Sequence, residues 1–430
     1  MMTNLKTWVS AAALAGGLAL ASLSAGAARA QETIKVGILH SLSGTMAISE
    51  TTLKDAMLML IAEQNKKGGL LGKKLEPVVV DPASNWPLFA EKARELIAKD
   101  KVSAVFGCWT SVSRKSVLPV FKELNSILFY PVQYEGEESE RNVFYTGAAP
   151  NQQAIPAVDY LMKEEKVERW VLEGTDYVYP RTTNKILEAY LRAKGVKPED
   201  ISINYTPFGQ SDWQTRVAAI KSFGSAGKKT AVVSTINGDA NVPFYKELAN
   251  QGLKATDIPV VAFSVGEEEL AGIDTKPLVG HLAAWNYFES IDTPENKAFI
   301  AQWQAYKKNP KAVTNDPMEA HYIGFNMWVK AVEKAGSTDP DKVIAALPGT
   351  EQKNLTGGTS QMLPNHHITK PVFIGEIKDD GQFDVVNKTD GLIAGEAWSK
   401  QLDGSKDLEA DWVKLNCGNY NTKTKKCGGA

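Results

Sequence analysis

The feature that most constrains the fold of this chain is an alternation between short apolar runs and longer amphipathic stretches. In the first third of the chain, apolar runs at 34–38, 77–80, 102–106 and 127–131 alternate with helical spacings at 51–67, 88–99 and 111–124. The stretch 51–67 carries its apolar residues at the period of an α-helix, namely Leu53, Met57, Leu60 and Ile61. Strands that alternate with helices in this way predict βαβ crossovers and a parallel sheet covered on both faces.

The same alternation begins again near residue 154. Strands are predicted at 170–173, 202–205, 231–235 and 259–263, and helices at 154–166, 184–194, 213–223 and 242–251. Two successive doubly wound units predict an α/β fold of two lobes with a cleft between them. In such sheets ligands bind beyond the carboxyl ends of the strands.

The pattern after residue 280 is less regular. It predicts a strand at 283–288, helices at 295–307, 317–335 and 339–347, and an antiparallel pair at 372–377 and 383–386. In the last of these helices, Asp339 is the expected cap and Pro340 the first helical residue. Residues 401–430 are charged and rich in turn formers, and we expect them to form a surface tail.

The first thirty residues read as a secretory signal peptide. Lys6 precedes an uncharged apolar stretch, which ends in the A-x-A pattern of Ala28, Arg29 and Ala30. A membrane anchor is the alternative, but the stretch is rich in alanine and glycine and is interrupted by serines. The first cysteine is Cys108, far from the cleavage point, so no lipid anchor is expected. We therefore predict a cleaved peptide at 1–30 and a soluble mature protein in the periplasm.

Composition excludes several partners. The 48 basic and 50 acidic residues give a net charge of -2, which supplies no general attraction for nucleic acid or an anionic membrane surface.

The sequence contains three cysteines. In an oxidising compartment Cys417 and Cys427 are expected to close a local disulfide across a turn. Cys108 has apolar neighbours and is interpreted as a buried, unreactive thiol.

Aromatic residues cluster where predicted strands end. They are Trp109, Tyr130, Tyr134, Tyr177 and Tyr179. A single aromatic at a strand end is usually part of the core, but five such residues in both lobes indicate flat walls around a small, polar, planar ligand. Thr110 and Ser111 open a helix, where free backbone N–H groups can hold a carbonyl oxygen or an anion. The alternative is that Ser111 is only a helix cap.

Motifs for catalysis or cofactor binding are missing from the sequence. The five histidines are scattered without zinc-ligand spacing, and neither a phosphate-binding loop nor a dinucleotide fingerprint is found. The adjacent His366 and His367 are expected in a surface loop. The acidic run Glu267, Glu268 and Glu269 is interpreted as a solvated helix start. A non-enzymatic protein without metal or cofactor is therefore predicted.

Several segments resemble the type I periplasmic binding proteins. They are residues 34–45, 107–115 (GCWTSVSRK), 129–136 (FYPVQYEG), 149–152 and 176–181 (DYVYPR). Within that family they are most similar to the urea- and short-chain-amide-binding branch, above all to the urea-binding components of ABC transporters. The resemblance extends from about residue 32 to residue 376.

The resemblance implies two α/β lobes joined by three crossings near 147–151, 280–284 and 356–371. It assigns 32–148 and 284–356 to lobe 1, and 149–283 and 357–400 to lobe 2. It also implies that the ligand is held between the lobes and released to membrane permeases. The residues that match the ligand contacts of relatives are Trp109, Thr110, Ser111, Tyr130, Tyr177 and Tyr179, with Gln133, Asp239, Ser264 and Glu267 as further candidates.

Urea fits such a site because it offers four N–H donors and one carbonyl acceptor. Ser111 and the helix-start amides can donate, whereas tyrosine hydroxyls, Gln133 and a carboxylate of Asp239 or Glu267 can accept. The expected function is a periplasmic receptor that delivers urea to an ABC importer. A receptor for short amides or a branched-chain amino acid stays open, and the amino acid would need Asp239 or Glu267 beside Ser111. A cytosolic amide sensor conflicts with the signal peptide, and an amidohydrolase using Cys108 or Ser111 lacks a visible base.

Overall fold

The first part of the chain forms a parallel sheet. The computed structural model describes residues 32–428, so the predicted signal peptide lies outside the described residues. The first elements are β1 (Ile34–Leu39), α1 (Ala47–Lys66), β2 (Leu75–Val80), α2 (Trp86–Arg94), β3 (Val105–Gly107), α3 (Ser111–Glu123), β4 (Leu128–Tyr130) and β5 (Val143–Tyr145). Their strands lie in the order β2-β1-β3-β4-β5, and each neighbouring pair is parallel.

The second part forms a larger sheet. Its elements are α4 (Ala154–Lys163), β6 (Arg169–Thr175), α5 (Val178–Ala193), β7 (Ile201–Thr206), α6 (Gln214–Gly224), β8 (Thr230–Thr235), α7 (Asn241–Asn250), β9 (Val260–Ala262), α8 (Glu267–Leu270) and β10 (Leu282–Trp285). The strands β6 to β10 are parallel to one another. The predicted doubly wound α/β fold is confirmed by these two sheets.

The chain then returns to the first sheet before it completes the second. The return contains α9 (Pro294–Lys307), α10 (Asp316–Ala335), α11 (Pro340–Ala346), β11 (Glu351–Lys353), β12 (Thr359–Gln361) and β13 (Thr369–Lys370). It is followed by β14 (Phe373–Ile377), β15 (Phe383–Lys388) and β16 (Ile393–Ala394). The strands β14 and β15 add antiparallel to β10, giving the order β15-β14-β10-β9-β8-β6-β7. We call the part built on each sheet the first and the second lobe.

Capping residues set several helix starts. Asp339 accepts a hydrogen bond from the Lys342 N–H and is followed by Pro340, so α11 begins as its sequence predicts. Asn315 caps α10 in the same way, and Gly336 ends that helix in the left-handed conformation. Side chains of α10 pack in the core of the first lobe. The local sequence therefore determines where α10, the longest helix of the return segment, begins and ends.

Two lobe boundaries differ from those predicted. The second crossing was expected at 280–284, but Leu282–Trp285 forms β10 inside the second sheet, and the chain leaves this sheet only after Trp285. Residues 357–368 were expected in the second lobe, but Met362 and Ile368 are buried in the core of the first. Both errors have the same cause. The sequence shows that these two segments contain apolar residues, but it does not show which of the two lobes buries them.

One side chain joins the three crossings. Asn286, directly after β10, donates from Nδ2 to the Gln152 carbonyl at 2.9 Å and to the Pro371 carbonyl at 2.6 Å. Gln152 lies in the first crossing and Pro371 in the third. The Asn286 backbone N–H also donates to Asp316 at 2.9 Å. A single buried amide therefore fixes the segments that connect the lobes.

The C-terminal segment is folded and is not a tail. It forms a three-stranded sheet from β17 (Leu408–Asp411), β18 (Cys417–Asn421) and β19 (Lys426–Cys427), and Cys417 and Cys427 are joined by a disulfide. Trp412 donates from Nε1 to the Ser139 hydroxyl at 2.9 Å. The small sheet is thus anchored on the loop that follows β4. Among the described residues, no helix has the length and apolar character needed to cross a bilayer.

The histidine pair is buried, which corrects its predicted place in a surface loop. His366 stacks on Phe144 with ring centroids 4.2 Å apart, and His367 stacks on Tyr145 at 4.5 Å. The Tyr145 N–H donates to the His366 carbonyl at 2.8 Å, so this segment runs beside β5. The burial depends on contacts between residues far apart in sequence, which the local pattern does not contain.

Candidate functional site

Four of the five predicted aromatic residues lie where the two lobes face each other, whereas Tyr134 packs on Tyr145 and His367 inside the first lobe. Trp109 follows β3 in the first lobe and is 2% exposed. Its indole Nε1 donates to Oδ1 of Asn237 in the second lobe at 3.2 Å. The Asn237 N–H in turn donates to the Thr175 hydroxyl at the end of β6. The ends of β3, β6 and β8 therefore converge, as expected for a cleft between two doubly wound sheets.

Thr110 and Ser111, at the start of α3, have different roles. Thr110 is the N-cap of α3, because its Oγ1 accepts from the Ser113 N–H at 3.1 Å. Ser111 is the first helical residue, so the alternative that Ser111 serves only as the cap is wrong. The Ser111 hydroxyl instead contacts charged side chains of the first lobe. Thr110 therefore caps the helix, and the adjacent Ser111 contributes to the wall of the cleft.

The tyrosines lie on both sides of the cleft. Tyr130, at the end of β4, is buried and donates its hydroxyl to the Trp109 carbonyl. Tyr177 and Tyr179 begin α5 in the second lobe, with ring centroids 6.1 Å apart. Burial raises the pKa of both hydroxyls, and Tyr130 and Glu135 of the first lobe raise it further. The hydroxyls of the two lobes therefore influence each other electrostatically.

A direct side-chain contact between the lobes lies beside these rings. Gln133 donates from Nε2 to the Ser264 hydroxyl at 2.8 Å. Ser264 and Gln133 are also polar neighbours of Tyr179 and act against the rise in its pKa. Within residues 32–428, the buried Gln133 Oε1 has no hydrogen-bond partner, whereas the buried Tyr179 hydroxyl lies within hydrogen-bonding reach of the Ser264 and Gln133 side chains. Unpaired buried polar atoms are costly and mark a place where a ligand can bind.

The two carboxylates proposed from the sequence make no hydrogen bond to Ser111 in the described part of the chain. Asp239 is exposed, and its backbone N–H donates to the Thr45 carbonyl of the first lobe at 3.1 Å. Glu267 is buried, and its carboxyl accepts from the Glu289 N–H at 2.7 Å. Glu269 is buried as well, so the acidic run is not the solvated helix start that we expected. Neither Asp239 nor Glu267 is bonded to Ser111.

A third carboxylate, that of Glu135, lies beside Ser111. The Ser111 hydroxyl donates to Glu135 Oε2 and accepts from Arg114 Nη1 at 3.1 Å. Arg114 also contacts Glu135 Oε1 at 3.1 Å and Glu138 Oε1 at 2.8 Å. Its guanidinium lies over the Tyr130 and Tyr134 rings, 4.8 and 4.6 Å from their centroids. This network of ion pairs and ring contacts therefore stabilises the cleft wall at Ser111 and Tyr130 from within the first lobe.

The charges of this network are balanced. Burial alone would lower the pKa of Arg114, but Glu138 and Glu135 hold it well above its ordinary value. Burial would raise the pKa of Glu138, but Arg114 and Lys115 hold it at about 2. Lys115 reaches Glu138 Oε2 at 2.9 Å. Two cations therefore compensate two carboxylates, and the network carries no net charge.

The groups at the cleft are suited to binding. Cys108 is fully buried, and burial raises the pKa of its thiol far above the ordinary value, so it is a poor nucleophile. Amide, hydroxyl and indole groups face each other across the lobes, which favours recognition of a polar molecule by hydrogen bonds.

Comparison with known proteins identifies the family. The description of the matching family is periplasmic binding protein domain, and the match covers residues 34–404. The chain belongs to this family. The fold of this periplasmic binding protein is the type I fold, with parallel-sheet α/β lobes.

Two curated relatives that match most of this periplasmic binding protein have names that refer to amino acids. It is 26% identical to Leu/Ile/Val-binding protein homolog 6 of Brucella melitensis, over 85% of this chain and 93% of the relative. It is 24% identical to the leucine-, isoleucine-, valine-, threonine- and alanine-binding protein of Pseudomonas aeruginosa, over 76% of this chain and 85% of the relative.

Solved structures share the fold of this periplasmic binding protein. An ABC transporter solute binding protein of Rhodopseudomonas palustris HaA2, in complex with p-hydroxybenzoic acid, has a TM-score of 0.75 and 25% identity over 84% of this chain and 98% of that one. The branched-chain amino acid transporter substrate binding protein of Streptococcus pneumoniae, in complex with isoleucine, has a TM-score of 0.69 and 18% identity over 84% of this chain and 100% of that one.

Sequence reasoning missed the network around Arg114 in this periplasmic binding protein. Glu135 stands in the segment FYPVQYEG and Arg114 in GCWTSVSRK, so both belong to motifs that were recognised. What was missing is their pairing, because the loop and the helix meet only in the folded lobe. The motifs nevertheless contained the signal, since a charged residue inside each apolar, aromatic segment requires a buried partner.

Proposed function

We propose that this periplasmic binding protein is a receptor for a small neutral amide, with urea as the first candidate. The groups that join the lobes beside the aromatic residues are neutral: the Trp109 indole, the amides of Gln133 and Asn237, and the Ser264 hydroxyl. A neutral ligand with several N–H donors and one carbonyl matches them without leaving a charge buried.

The observation that carries the proposal is the unpartnered Gln133 Oε1, which lies beside the Gln133–Ser264 contact and the Tyr179 hydroxyl. Gln133 Oε1 can only accept a hydrogen bond, and the Tyr179 hydroxyl can donate or accept. Urea and acetamide supply both an N–H donor and a carbonyl acceptor within a few ångströms. The two atoms lie on opposite lobes, so one small ligand can satisfy both and favour closure.

The names of relatives favour a second candidate, a branched-chain amino acid. Such a ligand needs a donor group for its carboxylate and a free acidic group for its ammonium. Asp239 is exposed, and the Glu267 carboxyl accepts a hydrogen bond from the Glu289 backbone N–H, so neither carboxylate expected to hold an ammonium is hydrogen-bonded to Ser111. Glu135 does lie beside Ser111, but it is bonded to Arg114 and to Ser111 itself. This arrangement supports the amide over the amino acid.

We also propose that the protein works in the periplasm and delivers its ligand to permease subunits of an ABC importer. The signal-like segment at 1–30 and the family support this role. Binding without chemical conversion is expected. Amino-terminal sequencing of secreted protein should begin at Gln31, and urea incubated with the protein should release no ammonia.

The decisive experiment is isothermal titration of the purified protein with urea, acetamide, leucine and 4-hydroxybenzoate. For a ligand with four heavy atoms, about -1.5 kcal/mol per atom limits the binding free energy to about -6 kcal/mol, or a Kd of roughly tens of micromolar. We expect urea to bind near this limit, acetamide to bind more weakly and leucine to give no heat. Binding of leucine without binding of urea would overturn the proposal.

A further inference from the structure

Glu135 lies in direct contact with the wall of the cleft. Its Oε2 accepts a hydrogen bond from the Ser111 hydroxyl, and both residues are 1% exposed. Its charge also acts on the tyrosines of both lobes: burial raises the pKa of Tyr130 and Tyr179, and Glu135 raises each further. A buried carboxylate is therefore held at the place where the lobes enclose a ligand.

The contact occupies the side-chain hydrogen-bond donor of Ser111, which leaves a ligand carboxylate only the backbone N–H groups of the helix start. A serine hydroxyl can donate one hydrogen bond, and Ser111 donates it to Glu135. The Arg114 guanidinium is not available either, because it is shared between Glu135 at 3.1 Å and Glu138 at 2.8 Å. A ligand carboxylate at Ser111 would compete with the Glu135 carboxylate for the same hydroxyl. It would also lie close to the negative charge of Glu135, and two like charges are unfavourable in a buried site.

We propose that Glu135 is the specificity-determining residue that makes this protein reject carboxylate ligands and accept neutral amides. The inference rests on the proposed function, since it assumes that the ligand lies against Ser111. It deepens that function because it assigns the choice between amide and acid to one side chain.

The network supplies a matched control. Glu138 binds the same guanidinium and is also buried, but it contacts Tyr145 and Lys115 and makes no hydrogen bond to Ser111 among the described residues. Glu135→Gln places an amide beside Ser111; its N–H can donate to the hydroxyl, which frees the hydroxyl proton for a ligand. Glu138→Gln removes one negative charge from the same network without freeing that proton.

The test measures the Kd of acetamide and of acetate, which have nearly the same shape and differ in charge. In the wild-type protein acetate should bind about 100-fold or more weakly than acetamide. In Glu135→Gln this ratio should fall by about tenfold or more, whereas in Glu138→Gln it should stay within about threefold of wild type. Thermal melting verifies that each variant is folded.

Two outcomes overturn the inference alone: an unchanged ratio in Glu135→Gln, or wild-type binding of acetate within about tenfold of acetamide. If Glu135→Gln does not fold, Glu135→Asp serves instead, because its shorter side chain withdraws the charge from Ser111. The ratio should then fall about threefold or more, and no change counts against the role of Glu135. Binding of leucine or 4-hydroxybenzoate in place of amides by the wild type would overturn the proposed function as well.

Discussion

The Ser49 hydroxyl in α1 of the first lobe donates a hydrogen bond of 2.6 Å to Glu269 Oε1 in α8 of the second lobe. Both residues are buried, and the other oxygen of Glu269 accepts from the Gly266 N–H at 2.9 Å. This bond joins the two lobes. It can form only when α1 and α8 are brought together.

The bond predicts a role for Ser49 in closure. Ser49→Ala should weaken ligand binding by about tenfold, because a hydrogen bond to a carboxyl group contributes roughly 1.5–3 kcal/mol when that group is charged. Titration calorimetry measures the affinity, and small-angle X-ray scattering should show a more open average shape. Thr51→Ala is the control, since its hydroxyl bonds to the Ala47 carbonyl within α1. Equal effects of both changes would contradict a closure role.

Trp109 is predicted to shape the ligand site. Trp109→Ala enlarges the cleft and removes the bond to Asn237, so the Kd for urea should rise at least about tenfold. Trp213→Phe is the control: Trp213 is buried in the second lobe and donates to the Gln210 carbonyl at 3.0 Å. It should lower the melting temperature and leave urea binding unchanged. Wild-type affinity in Trp109→Ala would remove Trp109 from the site.

Glu268 predicts a pH dependence of stability. Burial raises its pKa to about 7, and Glu269, Asp55 and Glu289 act in the same direction while Lys307 opposes them. Since the carboxyl is protonated more readily in the folded state, its stabilising contribution is complete below its ordinary pKa and is lost as pH rises through 7.

The measurement compares wild type with Glu268→Gln in guanidinium chloride unfolding from pH 5 to pH 8. The wild-type free energy of unfolding should fall by about 2 kcal/mol more than that of the variant. Glu91→Gln, on the exposed surface of α2, should follow the wild-type curve. Parallel curves for wild type and Glu268→Gln would refute the assignment.

Asn286 is predicted to stabilise the connection between the lobes. Asn286→Ala leaves the Gln152 and Pro371 carbonyls unpaired, and the free energy of unfolding should fall by about 2–3 kcal/mol. Guanidinium chloride is the suitable denaturant, because urea is the proposed ligand. Asn326→Ala, which loses only a bond to the Tyr322 carbonyl within α10, should cost about 1 kcal/mol or less. Similar losses in both variants would show that Asn286 has no special role.

Much of the fold could be predicted from local sequence. The alternating apolar runs became parallel strands, and Asp339 with Pro340 began α11 where expected. The turn at Gly381, whose φ is 80°, joins the predicted antiparallel pair β14 and β15. Periodicity and capping act between neighbours in the chain, so a sequence displays them directly.

Other features were less visible. Helix α5 begins at Val178, before the predicted start at residue 184, because Pro180 in its first turn is tolerated there and yet resembles a loop residue. The burial of Glu267, Glu269, His366 and His367 was also missed. Each of these polar residues is paired with a distant partner, and composition alone predicts exposure for such residues.

The sequence by itself determined the two doubly wound sheets and the aromatic residues at strand ends, since both follow from short-range spacing. Only the tertiary structure decided which groups meet: Trp109 with Asn237, 128 positions away, and Ser111 with Glu135 and Arg114. These pairings depend on how two lobes close and how a loop packs on α3. Hydrogen bonds and ion pairs require atoms within a few ångströms, and that proximity exists only in the folded chain.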